Sequence, residues 1–345
     1  MVRRGTAVVL LCLAVLAASA LAYTPIAAAQ SGTTFEDVAD GAYYAEPVVA
    51  LAGDGVLAGT LCEEGFCPGE PIDRKTMAVW VVRVLDGADP SAVSQTRFDD
   101  VDADSFNAPF IERLHQLGVT RGCGDGRGFC PHDNVTRAQM AAFVSRAFKL
   151  PDGTDPDFAD VPATAWYAAD VAKLAASGIT RGCGDGRGFC PHDNVTRAEM
   201  ATFLWRGQIG AAEAEMARLV NELRSSLGLV PLTVHTGLST VARSWSMTMR
   251  DRGIFEHNPN YAHETRYALD WRQYPISWSA GENIAFNEAS GRTIMDAVQV
   301  AFDGLAGSPG HYANMTYPDF NLLGVGIAVE DSSFWFTQNF AYWAQ

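Results

Sequence analysis

The chain has 345 residues, a formal net charge of −15 at pH 7 and seven cysteines. Its acidity repels nucleic acid and anionic surfaces, so any anionic ligand has to be met by local cationic groups. The length exceeds what one small core organises and predicts two domains.

The N-terminus reads as a secretory signal. Arg3 and Arg4 precede an apolar stretch from Thr6 to Ala22, and small residues ending in Ala27, Ala28 and Ala29 offer a cleavage site. Cleavage is expected after Ala29, with Ala22 as the alternative, so residues 1–29 are read as a leader. No later segment is apolar over the length a bilayer requires. Cys12 falls in the leader. The other cysteines form three close pairs, Cys62/Cys67, Cys123/Cys130 and Cys183/Cys190. Outside the cytosol such pairs favour local disulfides. Their spacing is wider than CxxC and each pair stands alone, against a four-ligand zinc site.

Self-similarity organises the next 170 or so residues. Arg121–Met140 and Arg181–Met200 are identical except at Gln139 and Glu199. A more diverged copy runs from Leu61-Cys62 through Cys67-Pro68 to Arg74 and Met77. Each copy opens alike, at Phe35-Glu36-Asp37-Val38, Phe98-Asp99-Asp100-Val101 and Phe158-Ala159-Asp160-Val161. Phe110, Ile111, Leu114 and Leu117 mark one face of a first helix. A Gly-rich loop bracketed by cysteines follows. Thr136 with Gln139, and Thr196 with Glu199, are capping boxes that open a second helix. The units are placed at 34–90, 97–149 and 157–206. One such unit cannot bury its own apolar face, so three are expected to pack together.

The order Phe-x-Asp-Val, Gly-Val/Ile-Thr, Pro and Thr-Arg-Ala-Glu/Gln resembles the S-layer homology (SLH) repeat. The resemblance implies an α-helical three-repeat spindle at a bacterial cell surface. It also implies non-covalent binding of an anionic secondary wall polymer, often pyruvylated, with Arg74, Arg137 and Arg197 touching the acidic ligand. An Arg at a helix start offers a planar fork of donors beside a positive dipole end. The first unit departs from the motif, reading Ile72-Asp73-Arg74-Lys75-Thr76. Asn134 and Asn194 lie in Asn-x-Thr sequences, but at positions where a turn and a helix cap are needed.

Gly207–Ala211 reads as a short connection to a second domain over 212–345. Met216, Leu219, Val220, Leu223 and Leu227 mark one amphipathic helix, and Leu238, Val241, Ala242 and Met249 a second. Leu322–Val329 and Phe334–Tyr342 are rich in β-branched and aromatic residues around a hairpin turn at 330–333. Helices followed by strands predict an α+β layered fold.

Asn221-Glu222-Leu223-Arg224, Phe255-Glu256-His257-Asn258, Gly281-Glu282-Asn283-Ile284 and Ser308-Pro309-Gly310-His311-Tyr312-Ala313-Asn314 follow one another in this domain. Their order and spacing resemble the bacterial branch of the CAP superfamily (cysteine-rich secretory proteins, antigen 5, pathogenesis-related 1). The resemblance implies an α-β-α sandwich whose cleft is lined by His257, Glu282 and His311, with His257 and His311 as ligands for Zn or another divalent metal. Leu305 stands where Trp is frequent, and Asp303 is the nearest acid to a second cleft carboxylate. His235 and His263 fall outside the motifs and are read as surface residues, and Gln338 as a cleft-lining candidate.

Two imidazoles and a carboxylate suit a metal site with an open position, or a base–acid pair. No Ser or Cys nucleophile is marked; Ser308 reads as a turn residue entering a helix. The expected function is therefore non-enzymatic wall anchoring that displays a cleft for an extracellular ligand or metal. The alternatives are a wall-attached metal-dependent hydrolase using His257, Glu282 and His311, and a lipid-binding carrier.

Overall fold

The computed structural model describes residues 24–25, 35–63, 65–269, 278–288, 293–330 and 332–343. The expected cleavage after Ala29 lies outside them. A two-residue strand β1 (Thr24–Pro25) pairs antiparallel with β2 (Ala88–Asp89).

Residues 35–206 fold as three helix–loop–helix units. Their helices are α1 (Ala45–Gly53) with α2 (Arg74–Asp86), α3 (Ala108–Gln116) with α4 (Arg137–Ala147), and α5 (Ala168–Ala176) with the start of α6 (Arg197–Ser226). Both predicted capping boxes form, at Thr136/Gln139 and Thr196/Glu199. In the first unit Asp73 takes the capping place and accepts the Thr76 N–H at 2.9 Å.

The units close a ring through their backbones. Ile72 N–H donates to Val195 O at 2.9 Å, Val195 N–H to Val135 O at 2.8 Å, and Val135 N–H to Ile72 O at 2.9 Å. Helix packing repeats the cycle, with α3 on α2, α5 on α4 and α1 on α6. One core runs through all three units, from Val48 and Trp80 through Phe110 and Phe143 to Val171 and Phe203. Asn134 and Asn194 take part in the bridges between units, with Asp73 and Thr136 as partners.

The aspartate of each opening motif anchors its cysteine loop. Asp100 accepts the N–H groups of Phe129 and Cys130 at 2.7 Å each, and Asp160 those of Phe189 and Cys190 at the same distance. Asp37 does the same for Phe66 and Cys67. The carboxylate holds the left-handed turn at Cys67, Cys130 and Cys190, whose φ values are 55°, 56° and 55°. Burial works against ionisation of Asp160, but its N–H donors outweigh it and keep the carboxyl below its ordinary pKa. Disulfides join Cys62–Cys67, Cys123–Cys130 and Cys183–Cys190.

The expected connection at Gly207–Ala211 is not a break. Helix α6 runs unbroken for 30 residues from the third unit into the second domain. Gly207 reads as a linker residue but serves a close approach. A Cβ there would sit 2.1 Å from Phe148 Cε2, so only glycine lets that ring lie against the helix. Helix α1 adds further contacts between the first unit and the second domain. Arg250 pairs with Glu46 on α1, and Ala50 packs against the core of the second domain.

That domain has a four-stranded sheet in the order β3 (Thr233–Val234), β5 (Leu322–Glu330), β6 (Ser333–Trp343), β4 (Trp278–Glu288). The pair β3/β5 is parallel and the others antiparallel. Helix α7 (Thr236–Arg252) presses on one face so closely that Cβ atoms at Gly324 and Gly326 would lie 2.2 and 2.1 Å from its backbone. Helix α8 (Tyr261–Ala268) also packs on β4 and β6. The other face carries α6, α9 (Ile294–Gly307) and α10 (Pro309–Met315), with Met216, Val220, Val298, Val325 and Phe336 in its core. The domain is an α-β-α arrangement, and the predicted hairpin is β5/β6.

Two motif residues prove architectural. Arg224 is fully buried and donates to the carbonyls of Val230, Met315, Tyr317 and Phe320 at 2.9–3.1 Å. Asn221 exchanges two hydrogen bonds with the Leu232 backbone, at 3.0 and 2.7 Å.

Candidate functional site

His257 lies in the loop that leaves α7 after Gly253, whose φ of 59° lets the chain turn sharply. Glu282 projects from β4, and His311 belongs to α10. The fold brings all three together. His257 Nδ1 lies 2.9 Å from Glu282 Oε1, and the His257 and His311 rings are 6.4 Å apart between centroids. The Asn258 N–H also donates to Glu282 Oε1 at 2.9 Å.

The rest of each motif holds this geometry. Asn314 donates to the Glu282 carbonyl at 3.2 Å and to Asn283 Oδ1 at 2.9 Å. Asn283 in turn donates to the His311 carbonyl and to Gln338 Oε1, each at 3.0 Å. A side chain at Gly281 would crowd Asn314 and Phe320 at 3.1 Å, which accounts for glycine before the glutamate. Gln338 is completely buried and supports Asn283 instead of lining the cleft. Leu305 is buried in the core, and Asp303 is exposed and accepts from Gln299, away from the trio's hydrogen bonds.

The second acid near the trio is Glu264, on α8. Its Oε2 accepts from Asn258 Nδ2 at 2.9 Å, and its charge acts on Glu282. The sequence offered only a weak signal for it, a carboxylate one turn into a helix seven residues after the first histidine. His263 is exposed as expected, whereas half-buried His235 caps α7 through the Leu238 N–H at 3.4 Å.

Burial raises the Glu282 carboxyl above its ordinary pKa, against the opposing pull of the Asn258 N–H and of His257. Burial and then the nearby His257 charge lower His311, which favours a neutral imidazole with a lone pair to offer. Glu282 Oε2 is buried and has no hydrogen-bond partner among the described residues. A carboxylate on one histidine nitrogen aims the other nitrogen outward, as behind metal ligands. The trio therefore fits a centre in which His257 and His311 are ligands and Glu282 orients the first. It does not gather three ligand atoms into one small sphere. Among the described residues, the groups that do are Asp100/Cys123/Cys130 and Asp160/Cys183/Cys190. There the sulfurs are disulfide-bonded and the carboxylates already hold backbone N–H groups.

Arg74, Arg137 and Arg197 begin α2, α4 and α6 as predicted, yet they are only 3%, 4% and 6% exposed. Each reaches into the next unit around the ring. Their Nε atoms donate to the carbonyls of Phe129, Phe189 and Phe66 at 2.7, 2.8 and 2.7 Å. Their guanidinium planes lie over Phe129 and Phe143, Phe189 and Phe203, and Phe66 and Trp80. The arginines thus cross-link the units, with Arg137 also pairing with Glu199 at 2.8 Å.

Among the described residues, no helix is long and apolar enough to cross a membrane. Comparison with known proteins matches the second and third units and the second domain. The model of the Cysteine-rich secretory protein family (CAP) matches residues 217–340, and that of the S-layer homology domain (SLH) matches 97–141 and 157–201. The S-layer protein sap of Bacillus anthracis is 31% identical over 57% of this chain and 24% of its own length. The uncharacterized protein YkwD of Bacillus subtilis (strain 168) is 34% identical over 38% of this chain and 48% of its own. An amylopullulanase of Thermoanaerobacterium thermosulfurigenes is 25% identical over 53% of this chain and 10% of its own. The chain thus spans half or less of each of these relatives. Among solved structures, an extracellular SCP-domain protein of Bacillus anthracis str. Ames aligns at 24% identity and a TM-score of 0.31, over 44% of this chain and 45% of that one. NaASP2 with Zn2+ aligns at 14% identity and a TM-score of 0.30, over 37% and 78%. The chain carries two S-layer homology segments within residues 97–201 and a CAP domain over residues 217–340.

Proposed function

We propose that this is an exported cell-surface protein in which three S-layer homology repeats hold a CAP domain on the bacterial wall. The first unit, over 34–90, is read as the third repeat. It shares the ring hydrogen bonds, the aspartate-anchored loop and the cross-linking arginine of the other two. In this reading the repeats form the helical spindle and bind an anionic secondary wall polymer. The resemblance assigns polymer contact to Arg74, Arg137 and Arg197. Their burial supports a role in shaping each cleft floor, with only the outer guanidinium edge near ligand.

The observation that carries the reading is the continuity of α6, which builds the domain bearing the His257–Glu282–His311 cleft directly onto the last repeat. The cleft is read as a binding site for an extracellular ligand or a divalent metal, with His257 and His311 as the protein ligands. Purified walls are expected to sediment the full mature chain, and a chain starting at Glu213 is expected to stay in solution. Equal sedimentation of the two would refute anchoring by the repeats. Zinc titration should show binding that weakens about tenfold or more in His257→Ala and His311→Ala. Unchanged affinity in both would remove the metal.

One observation favours a second reading, a wall-attached hydrolase: Glu282 is buried, held above its ordinary pKa, and has an unpartnered oxygen. Hydrolysis of wall peptides that disappears in Glu282→Gln would select it; equal turnover in parent and variant would reject it.

A further inference from the structure

Strand β6 carries three polar residues in succession, Thr337, Gln338 and Asn339, all fully buried. Strand alternation divides them between the two faces of the sheet. Gln338 meets Asn283 and the Met216 sulfur on one face. Thr337 and Asn339 lie on the other, across from Gly326 and Gly324 of β5, where α7 closes over the sheet. Thr337 is paired there. Its Oγ1 lies 2.8 Å from Ser246 Oγ, which donates to the Gly326 carbonyl at 3.0 Å. Asn339, one step along the same face, is equally buried. Yet neither its Oδ1 nor its Nδ2 has a hydrogen-bond partner among the described residues.

Two more unpaired oxygens converge on this place. Glu282 stands directly across from Asn339 in the β4/β6 register, so their side chains share a face with Cβ atoms about 5 Å apart. Glu282 Oε1 is taken by His257 and by the Asn258 N–H, whereas Oε2 is buried without a partner among the described residues.

The third residue is Thr265, the one fully buried residue of α8. A single inward position on an amphipathic helix calls for an apolar side chain. A helical threonine can also turn its hydroxyl back onto a carbonyl of the preceding turn. Thr265 follows neither course, and its Oγ1 is unpartnered among the described residues. Its place is fixed from two sides. Asn258 holds both the adjacent Glu264 and Glu282. Leu269, one turn further on, packs against Ala341, the next residue after Asn339 on the α7 side of β6.

The four orphaned atoms define the chemistry of what meets them. A cation would satisfy the three oxygens and leave Asn339 Nδ2 stranded. An anion would suit Nδ2 and the hydroxyl but would face the Glu282 carboxylate. Water does both jobs: it donates to Glu282 Oε2 and Asn339 Oδ1, and accepts from Asn339 Nδ2 and the Thr265 hydroxyl. Buried waters in proteins make about three such bonds each.

We infer that Glu282, Asn339 and Thr265 enclose an internal water site behind the His257–Glu282–His311 cleft, and that Asn339 and Thr265 are positioning residues that hold the Glu282 carboxylate against His257 through this water. A carboxylate anchored at both oxygens cannot swing about its last torsion, and so it fixes the imidazole that it orients. The water site stands on the buried atoms alone. Its effect on zinc binding rests on the proposed ligand role of His257 and His311.

The test uses the full mature chain and two variants of similar volume, Thr265→Val and Asn339→Leu. A high-resolution crystal structure of the parent should show ordered water within hydrogen-bond distance of Glu282 Oε2, Asn339 and Thr265 Oγ1. The sign of the stability change gives an independent reading. Removing a dry, unpaired polar atom relieves its desolvation cost and raises the melting temperature. Removing a partner of bound water should instead lower it by about 2 °C or more. With folding checked by circular dichroism, both variants should bind zinc about tenfold more weakly than the parent, and Thr265→Ser, which keeps the hydroxyl, within about twofold of it. Crystals of the two variants should show the His257–Glu282 contact broken. A dry cluster, or melting temperatures raised in both variants, overturns the water site. Zinc affinity and a His257–Glu282 contact unchanged in both overturn the positioning role. A parent that binds no zinc refutes the metal reading alone, and the variant crystals then decide the positioning role by the His257–Glu282 contact.

Discussion

At the scale of single residues, the chain makes unusual use of buried charge. Glu213 is 5% exposed and meets Arg243 through bonds of 2.7 and 2.9 Å from Nε to the two carboxylate oxygens, while its Oε1 also accepts the Ile327 N–H. Removing the arginine strands a carboxylate inside the domain. Arg243→Ala is therefore expected to cost about 3 kcal/mol in chemical denaturation, and Glu213→Gln less, because Arg243 is partly exposed and can be solvated. His235 offers a prediction in pH. Burial lowers its pKa from the ordinary histidine value, and its Nδ1 caps α7 only when neutral. With the folded pKa below the unfolded one, its contribution is complete above about pH 6.5 and is lost as the pH falls through the folded value. His235→Asn keeps a capping oxygen without titrating. Its urea midpoint should therefore fall less than the parent's between pH 7 and 5, and an identical fall would discard the assignment.

Much at the residue scale was legible because chemistry demands particular side chains at particular spacings. The capping boxes were readable from Thr136/Gln139 and Thr196/Glu199, and the cleft trio from its motifs. Burial of Arg74, Arg137 and Arg197 was not, because the groups that desolvate them come from another unit more than 40 residues away in sequence. Glu264 was missed for a related reason: it lies outside the motifs and becomes relevant only through the contact that the fold gives it with Asn258.

At the scale of elements, glycine misled the sequence reading. A Gly-containing stretch between two amphipathic patterns looks like a joint, yet Gly207 and Gly210 both lie inside α6. They differ in surroundings. Alanine at 207 meets the Phe148 ring, whereas nothing lies within 4 Å of a Cβ at 210. Gly207→Ala should therefore destabilise the chain by about 1–3 kcal/mol, and Gly210→Ala should stabilise it by about 0.5–1 kcal/mol through helix propensity. Thermal melts of the two single variants check both signs. The hairpin β5/β6 and helix α7 followed their patterns, because period-2 and period-3.6 burial are both written locally.

At the scale of the whole molecule, the ring of Ile72, Val135 and Val195 makes the three units interdependent. Each supplies a donor to one neighbour and an acceptor to the other, so no unit is a removable end. Deleting residues 35–90 should not leave the second and third units folded. The shortened chain is expected to lose protection of the Val135 and Val195 amides in hydrogen exchange. Retained protection would mean that two units suffice. Closure was an expectation of the S-layer homology resemblance alone, since three similar units do not in themselves say whether they stack in a line or meet end to end.

The unbroken helix has one more consequence, in helical phase. Each residue of an α-helix adds about 1.5 Å and about 100° of rotation. One residue inserted between Gly207 and Ala211 would swing the cleft about a quarter-turn around the helix axis relative to the three repeat units. Seven would return it to nearly the same bearing, about 10 Å further out. Insertions of one to seven residues would thus separate azimuth from reach. They would reveal whether the ligand proposed for the CAP cleft comes from a fixed direction, such as the wall proposed to hold the repeats, or from open solution on every side.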